Sequence, residues 1–406
     1  MKTIVTNIGM LATPKGTGPR KGPEQGKIEI LKDAWVLMED GLVSQVGTGP
    51  APAADQTIDA QGHLVTPGLV DAHTHLIFGG WRQNELGMKL HGKTYLEIQN
   101  AGGGIQSTTN ATRQATEEEL TQKAARALDE MMGFGVTTME AKSGYGLATE
   151  HELKALQVIK NLNDRHAMDI VPTFMGAHLV PAEYKADREG YIRLVCEEML
   201  PRVKEQGIAR YCDVFCEADT FTMEESRRIL EAGKQYGLTP KIHADEIEAI
   251  GGSQLAGEIG AISAEHLIVC PPEGIVSLAR GGVIACLLPA TSFYLGAVFA
   301  PARDMVNAGV PVAMASDFNP GSCPCLNLQF VINLGCLKYR LTPEEVLTAV
   351  TLNAAAAIDR ASQVGSVEPG KQGDLVIWDA PDLDYICYRM GSNLVRSVVK
   401  KGAVVR

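Results

Sequence analysis

No run of about 18 apolar residues, the length a helix needs to cross a bilayer, occurs in this 406-residue chain, and a membrane-spanning helix is not expected. Excess positive charge is missing too. Against 48 Asp and Glu stand 37 Lys and Arg, and a formal net charge of -11 argues against a surface built for nucleic acid or anionic lipid. A small-molecule partner is the expectation. The opening MKTIVTNIGMLATPKGTGP breaks its short apolar run with Pro and Gly, so it does not read as a secretory h-region. The triple glycine of AGGGIQST lacks the spacing of a phosphate-binding loop and reads as a flexible turn. Cysteine is present as 9 residues, scattered through apolar runs such as VIACLLP and YCDVFC. Cys323 and Cys325 have no second pair to complete a structural zinc set, and reduced thiols in a cytoplasmic protein are expected. Repeats and low-complexity tracts are absent.

What is present is ordinary globular composition, 45% hydrophobic and 21% charged, in a repeating order of short β-branched runs and longer segments of helical period. Eight runs read as strands: VTPGLVDAH (65–73), VTTMEA (136–141), DIVPTFMGA (169–177), YCDVFCE (211–217), KIHADE (241–246), AISAEH (261–266), VIACLLP (283–289) and VAMASD (312–317). Between them lie amphipathic stretches such as TEEELTQKAARALDEMMGFG, with an N-cap and acidic first turn. The expected fold is a (β/α)8 TIM barrel over residues 65–355. Hairpin-like runs in both flanks point to a small composite β-sandwich from residues 1–64 and 356–406. The connection 76–110 is several times the usual length and lies on the face where barrel enzymes keep their chemistry.

Of the 9 histidines, five (His73, His75, His178, His243 and His266) fall at the C-terminal ends of those strands. His73 and His75 are two apart on a strand, so the pleat points both imidazoles toward the barrel axis. His243 and Asp317 end strands across the ring and are placed to complete a metal site. Three neutral nitrogens and a carboxylate suit one divalent ion, Zn2+ or Fe2+, with a position left for water, whereas Mg2+ or Ca2+ would want more oxygen.

LVTPGLVDAHTHL, KIHADE, the strand-ending Asp317 and GKQGDLVIWD resemble the amidohydrolase superfamily over nearly the whole chain. Two-metal members carry a carboxylated Lys at the end of the fourth strand. This chain has Glu217 there, so the resemblance implies a single metal, as in the cytosine-deaminase-like branch, whose HxxE is similar to His243–Glu246. It also implies a mechanism. Metal-bound water, its pKa drawn toward about 7, would yield the hydroxide nucleophile. Glu246 would carry its proton to the leaving nitrogen, Asp317 would share that proton while holding the metal, and His266 would hydrogen-bond the water or the developing oxyanion.

The long first connection, SGYGL, GAH and DFNPGS resemble more narrowly the imidazolonepropionase family of histidine degradation. That resemblance implies hydrolysis of the cyclic amide C–N bond of 4-imidazolone-5-propanoate to N-formimino-L-glutamate in a cytoplasmic homodimer. The substrate would be held by Arg82, Tyr95, Tyr145, His178, Glu246, Asn319, Gly321 and Ser322. Arg82 would clamp the propanoate carboxylate. Cys323 departs from the family pattern, where a second Ser follows Ser322. A deaminase of a neutral heterocycle would use the same metal machinery without needing Arg82, and a metal-free scaffold would lack ligands that are all present here.

Overall fold

The computed structural model describes residues 1–93, 97 and 101–406. Five strands precede the barrel: β1 (Lys2–Thr13), β2 (Glu29–Glu39), β3 (Leu42–Thr48), β4 (Gln56–Asp59) and β5 (Leu64–Pro67). Eight more follow in one parallel sheet: β6 (Leu69–Asp71), β7 (Val136–Lys142), β8 (Asp169–Ala177), β9 (Tyr211–Cys216), β10 (Thr239–Ala244), β11 (Ser263–His266), β12 (Ile284–Leu287) and β13 (Val312–Met314). They neighbour one another in sequence order. A parallel bridge between Thr74 and Phe318, with the His75 N–H donating to Phe318 O at 2.8 Å and the Asp317 N–H to His73 O at 3.1 Å, joins the last strand to the first.

The helices between strands form for readable reasons. Thr116 caps helix Glu117–Gly133 in a reciprocal capping box with Glu119, and Leu120, Ala124, Leu128 and Met131 turn one stripe into the core. Gly135, at φ +96°, then turns the chain into β7. At the N-terminal end of the barrel, Val70, Val171, Tyr211, Ile284 and Ala313 pack on helix Leu352–Ala357 and on Ile358, Ala361 and Val364. This alanine-rich segment plugs the bottom of the barrel, and burying Leu352 or Ile358 stabilises it by about 1.5–3 kcal/mol each.

Strands from both termini do meet outside the barrel. They are hydrogen-bonded into an eight-stranded sheet, because β1 is long enough to pair with β2 on one edge and with β4 and then β5 on the other. From the C-terminal flank come β14 (Leu375–Trp378), β15 (Val395–Lys400) and β16 (Ala403–Val404), with β14 antiparallel to β5. Residues 65–73, which the sequence reads as one barrel strand, are divided between the two sheets at Gly68. The connection 76–110 is not all loop. Helix Glu85–Leu90 lies within it, and a second helix, Gly104–Gln114, begins at the triple glycine, with the Gly104 N–H donating to Glu85 at 2.7 Å. No helix among the described residues is long and apolar enough to cross a membrane.

Candidate active site

His73, His75, His243, His266 and Asp317 converge at the C-terminal mouth of the barrel, each no more than 3% exposed. His73 Nε2 lies 3.3 Å from Asp317 Oδ1, His75 Nε2 lies 3.7 Å from the same oxygen, and His75 Nε2 and His243 Nε2 are 3.3 Å apart. Four donors around a tetrahedral ion at about 2.1 Å would stand roughly 3.4 Å from one another. Two of these atoms, His73 Nε2 and Asp317 Oδ1, are buried without a hydrogen-bond partner, a costly state that a cation at their centre would relieve. The residues therefore fit a divalent metal. Their backbone is strained to hold them, with Asp317 at φ +56° and His266 at φ +68°, the left-handed region.

Electrostatics favour neutral imidazoles. Burial, with the charges of Lys142 and the neighbouring histidines, holds His73 well below its ordinary value, and burial does the same to His75 and His266. Each neutral ring keeps a lone pair to offer. Burial pushes the Asp317 carboxyl up to about 6, against the Thr291 hydroxyl that donates to its Oδ2 at 2.7 Å. A cation beside Asp317 would reverse that shift.

Sequence reasoning missed the groups behind these ligands. His73 Nδ1 faces Glu265 Oε2 at 3.0 Å, and His243 Nδ1 faces Asp213 Oδ1 at 3.0 Å. Below them Lys142, Lys241 and Glu140 are wholly buried. The signal was present. Charged residues two apart within the strands, Glu140 and Lys142 or Lys241 beside His243, share the inward face of the pleat. Glu217, which the sequence marks only by not being a lysine, accepts the N–H groups of Ile247 at 2.9 Å and Glu248 at 3.0 Å, pinning the turn after β10 that carries Glu246.

A cavity of about 500 Å³ opens above the cluster. His75, Arg82, Tyr145, His178, His243, Glu246, His266, Asp317, Asn319, Gly321 and Ser322 line it, while His73 lies beneath. Tyr95 falls outside the described residues. A larger depression, about 570 Å³, sits at the other end of the barrel beside Pro172, Tyr211 and Thr239 and gathers none of the expected site residues. Burial, with the charges of Asp317 and Glu217, raises the Glu246 carboxyl to about 8, and its Oε2 lies 3.7 Å from His266 Nε2. His178 donates from Nδ1 to Gly144 O at 2.9 Å, stacks on His75 at 4.9 Å, and is pushed down to about 3 by burial.

Arg82 Nε pairs with Glu85 at 3.0 Å, and the guanidinium runs so close to Gly321 that a Cβ there would stand 2.3 Å from its Cζ. A side chain at Gly321 would push the guanidinium out of this position. Asn319 organises the same loop, its Oδ1 accepting from the N–H groups of Gly321, Ser322 and Cys323 at 2.9, 2.7 and 3.2 Å. The Cys323 thiol donates to Ser316 O at 3.2 Å, as a hydroxyl could.

The amidohydrolase family profile matches residues 64–405. Among curated relatives, an imidazolonepropionase of Alkaliphilus metalliredigens is 51% identical, the match covering 99% of this chain and 97% of that protein. Another, of Geobacillus kaustophilus, is 52% identical, over 100% and 96%. The fold is that of the atrazine chlorohydrolase of Arthrobacter aurescens solved with zinc, at a TM-score of 0.74, 18% identity, and coverage of 99% and 95%. Half-identity along nearly the full length of both chains, on a barrel with this cluster at its mouth, shows that the chain belongs to the amidohydrolase family and, within it, to the imidazolonepropionases.

Proposed function

We propose that this site hydrolyses the cyclic amide C–N bond of 4-imidazolone-5-propanoate, giving N-formimino-L-glutamate as in histidine degradation. The observation that carries the reading is the presence of Arg82, an anion clamp only 9% exposed at its side chain, in the same cavity as the histidine–aspartate cluster. A neutral heterocycle would have no carboxylate for that guanidinium, already anchored at Nε by Glu85, to clamp.

His73, His75, His243 and Asp317 would hold one divalent metal, Zn2+ or Fe2+. When bound, the ion supplies a Lewis acid that draws the pKa of a coordinated water toward about 7. The remaining chemistry belongs to the chain. Glu246, on its pinned turn, acts in its ionised form, which a cation held beside Asp317 would favour against the burial that raises its carboxyl; it takes the proton of the attacking water and returns it to the ring nitrogen as that bond opens, with Asp317 beside it able to share the proton. His266, within reach of Glu246, hydrogen-bonds the incoming oxygen and the oxyanion that develops. Arg82 binds the propanoate, and Tyr145 and neutral His178 orient the ring, the latter through the Nε2 lone pair that its bond to Gly144 leaves available. Asn319 holds Gly321 and Ser322 against the substrate's carboxylate end.

The cytoplasmic setting is supported by 9 unpaired cysteines, and the homodimer expected from the resemblance completes the proposal. Incubation with 4-imidazolone-5-propanoate tests it: the ring absorbance should disappear as formiminoglutamate accumulates, and the Arg82→Met variant should need far more substrate. No reaction with 4-imidazolone-5-propanoate, together with ammonia released from an aminated heterocycle and Arg82→Met unaffected, would replace this reading with a deaminase. Light scattering tests the dimer separately.

A further inference from the structure

Directly beneath the histidines lie five charged side chains, Glu140, Lys142, Asp213, Lys241 and Glu265, all fully buried. The interior of such a barrel is ordinarily filled by branched apolar side chains, and each buried ion costs several kcal/mol of hydration that its partners must return. A mere filler would not be made this way. The five form an unbroken chain. Lys142 Nζ lies 2.7 Å from Asp213 Oδ2 and 2.7 Å from Glu140 Oε2. Lys241 Nζ lies 2.9 Å from Glu140 Oε1 and 3.4 Å from Glu265 Oε1. The two ends of this chain are the carboxylates that receive His243 Nδ1 and His73 Nδ1.

We propose that Lys142 and Lys241, bridged by Glu140, are positioning residues of the metal centre: Lys142 ties down one oxygen of Asp213, and Lys241, with the Ser263 hydroxyl that donates to the same atom at 2.5 Å, ties down one oxygen of Glu265, so that the other oxygen of each carboxylate fixes a histidine in its Nδ1–H form with Nε2 aimed at the ion. The reasoning is geometric. A carboxylate free to rotate offers its oxygens in many directions, whereas one with an ammonium on one oxygen presents the other along a single line. An imidazole whose Nδ1–H is held by that oxygen has its lone pair on Nε2 and a fixed ring plane. His73 comes from the β6 side of the barrel and His243 from β10, so one buried network sets both in register. Its charge also suits a divalent ion. Three carboxylates against two ammoniums leave one negative charge, and Asp317 adds the second.

This rests on the metal-binding reading above. The experiment is competition of Zn2+ between a chromophoric chelator and the purified protein, for the wild type, Lys142→Met and Lys241→Met. Both variants are expected to lose about ten- to hundred-fold in Zn2+ affinity, the range seen when outer-shell partners are removed. Lysines that merely repel the cation would give the opposite sign, since their removal would tighten binding. Unchanged or tighter binding in folded variants overturns the proposal, whereas a wild type that takes up no Zn2+ overturns the metal-binding reading instead. Should a lone Met leave the network too charged to fold, the paired K142M/D213N keeps the test decisive. It should bind Zn2+ about as D213N does, because Lys142 reaches its nearest histidine, His243, through Asp213, and a further ten-fold loss would sink the idea. Nitrogen chemical shifts of the metal-free wild type supply a readout that needs no variant. His73 and His243 are expected as Nδ1–H tautomers, and Nε2–H forms would overturn the assignment.

Discussion

Burial holds the Glu246 carboxyl at about 8, and this single shift has consequences for both turnover and stability. Glu246→Gln keeps the shape of the side chain and cannot move a proton. Metal content should be retained while kcat falls by roughly 10²- to 10⁴-fold, and near-normal turnover would remove Glu246 as the proton carrier. In chelator-treated protein the same variant should be the more stable one at neutral pH. A carboxyl whose pKa is raised on folding destabilises the native state only above its unfolded value, near 4.5, because there the unfolded chain ionises and the folded one cannot. The penalty grows until about 8 and then levels off. Urea unfolding should show no gap at pH 4 and one of on the order of 4 kcal/mol at pH 8, because the two states differ by more than three powers of ten in proton affinity, each worth about 1.4 kcal/mol. Arg82 and Gly321 make a second pair of tests. Charge-assisted hydrogen bonds are worth about 1.5–3 kcal/mol, so Arg82→Met should raise KM by about 10- to 100-fold. Gly321→Ala should do part of the same damage without touching a charge, because the added methyl occupies the path of the guanidinium. Equal KM in Gly321→Ala and wild type would mean that Arg82 is not where the substrate needs it.

At the scale of elements, the strand ends were read from the sequence and the layer below them was not. Histidines two apart in LVDAHTH can only point the same way along a pleat, and the ends of β6, β10, β11 and β13 do bring His73, His75, His243, His266 and Asp317 within a few ångströms. Glu140, Lys142, Lys241 and Glu265 went unread because a charged residue in a short strand resembles its polar end, and only the closed ring of strands turns it inward. The break at Gly68 was hidden for another reason. Hydrophobic alternation reports which face is buried and says nothing about which sheet receives the hydrogen bonds, so a strand handed from β5 to β6 reads as one. Tyr95 lies outside the described residues. The turn after β10 carries its own test. Glu217 accepts two backbone N–H groups there, and without them Glu246 is free to wander. Glu217→Ala should keep its metal and lose about 10- to 100-fold in kcat, the cost of a displacement near 1 Å in a reacting group. Glu217→Gln, which keeps an acceptor oxygen, should recover part of it. Loss of metal in Glu217→Ala would instead assign Glu217 to the ligand shell.

Across the whole molecule, the chain passes twice between the terminal sheet and the barrel, and the passage at Gly68 leads straight to the proposed metal ligands. Gly68 donates its N–H to Asp374 O at 2.8 Å on the terminal side, and its neighbour Leu69 donates to Gly135 O at 3.0 Å on the barrel side. A Cβ at Gly68 would stand 2.2 Å from Thr137 Oγ1 and 2.6 Å from its Cγ2, with β7 packed behind. Either the sheets part or β6 moves. Gly68→Ala should therefore lower Tm, by the about 1–3 kcal/mol typical of overpacking. It should also weaken Zn2+ binding, because His73 and His75 follow β6 by only a few residues and ride on its position. Thr137→Ala removes the two nearest clashing atoms, so the double variant should regain much of both properties, leaving a coupling of on the order of 0.5–3 kcal/mol between the sites. Calorimetry with and without Zn2+ separates the outcomes. If Gly68→Ala lowers Tm equally in metal-free and metal-loaded protein, the strain stays at the seam between the sheets. If the loss is larger when metal is present, strain at the seam reaches the ligands, and the terminal sheet helps to set the geometry of a site to which it contributes no side chain.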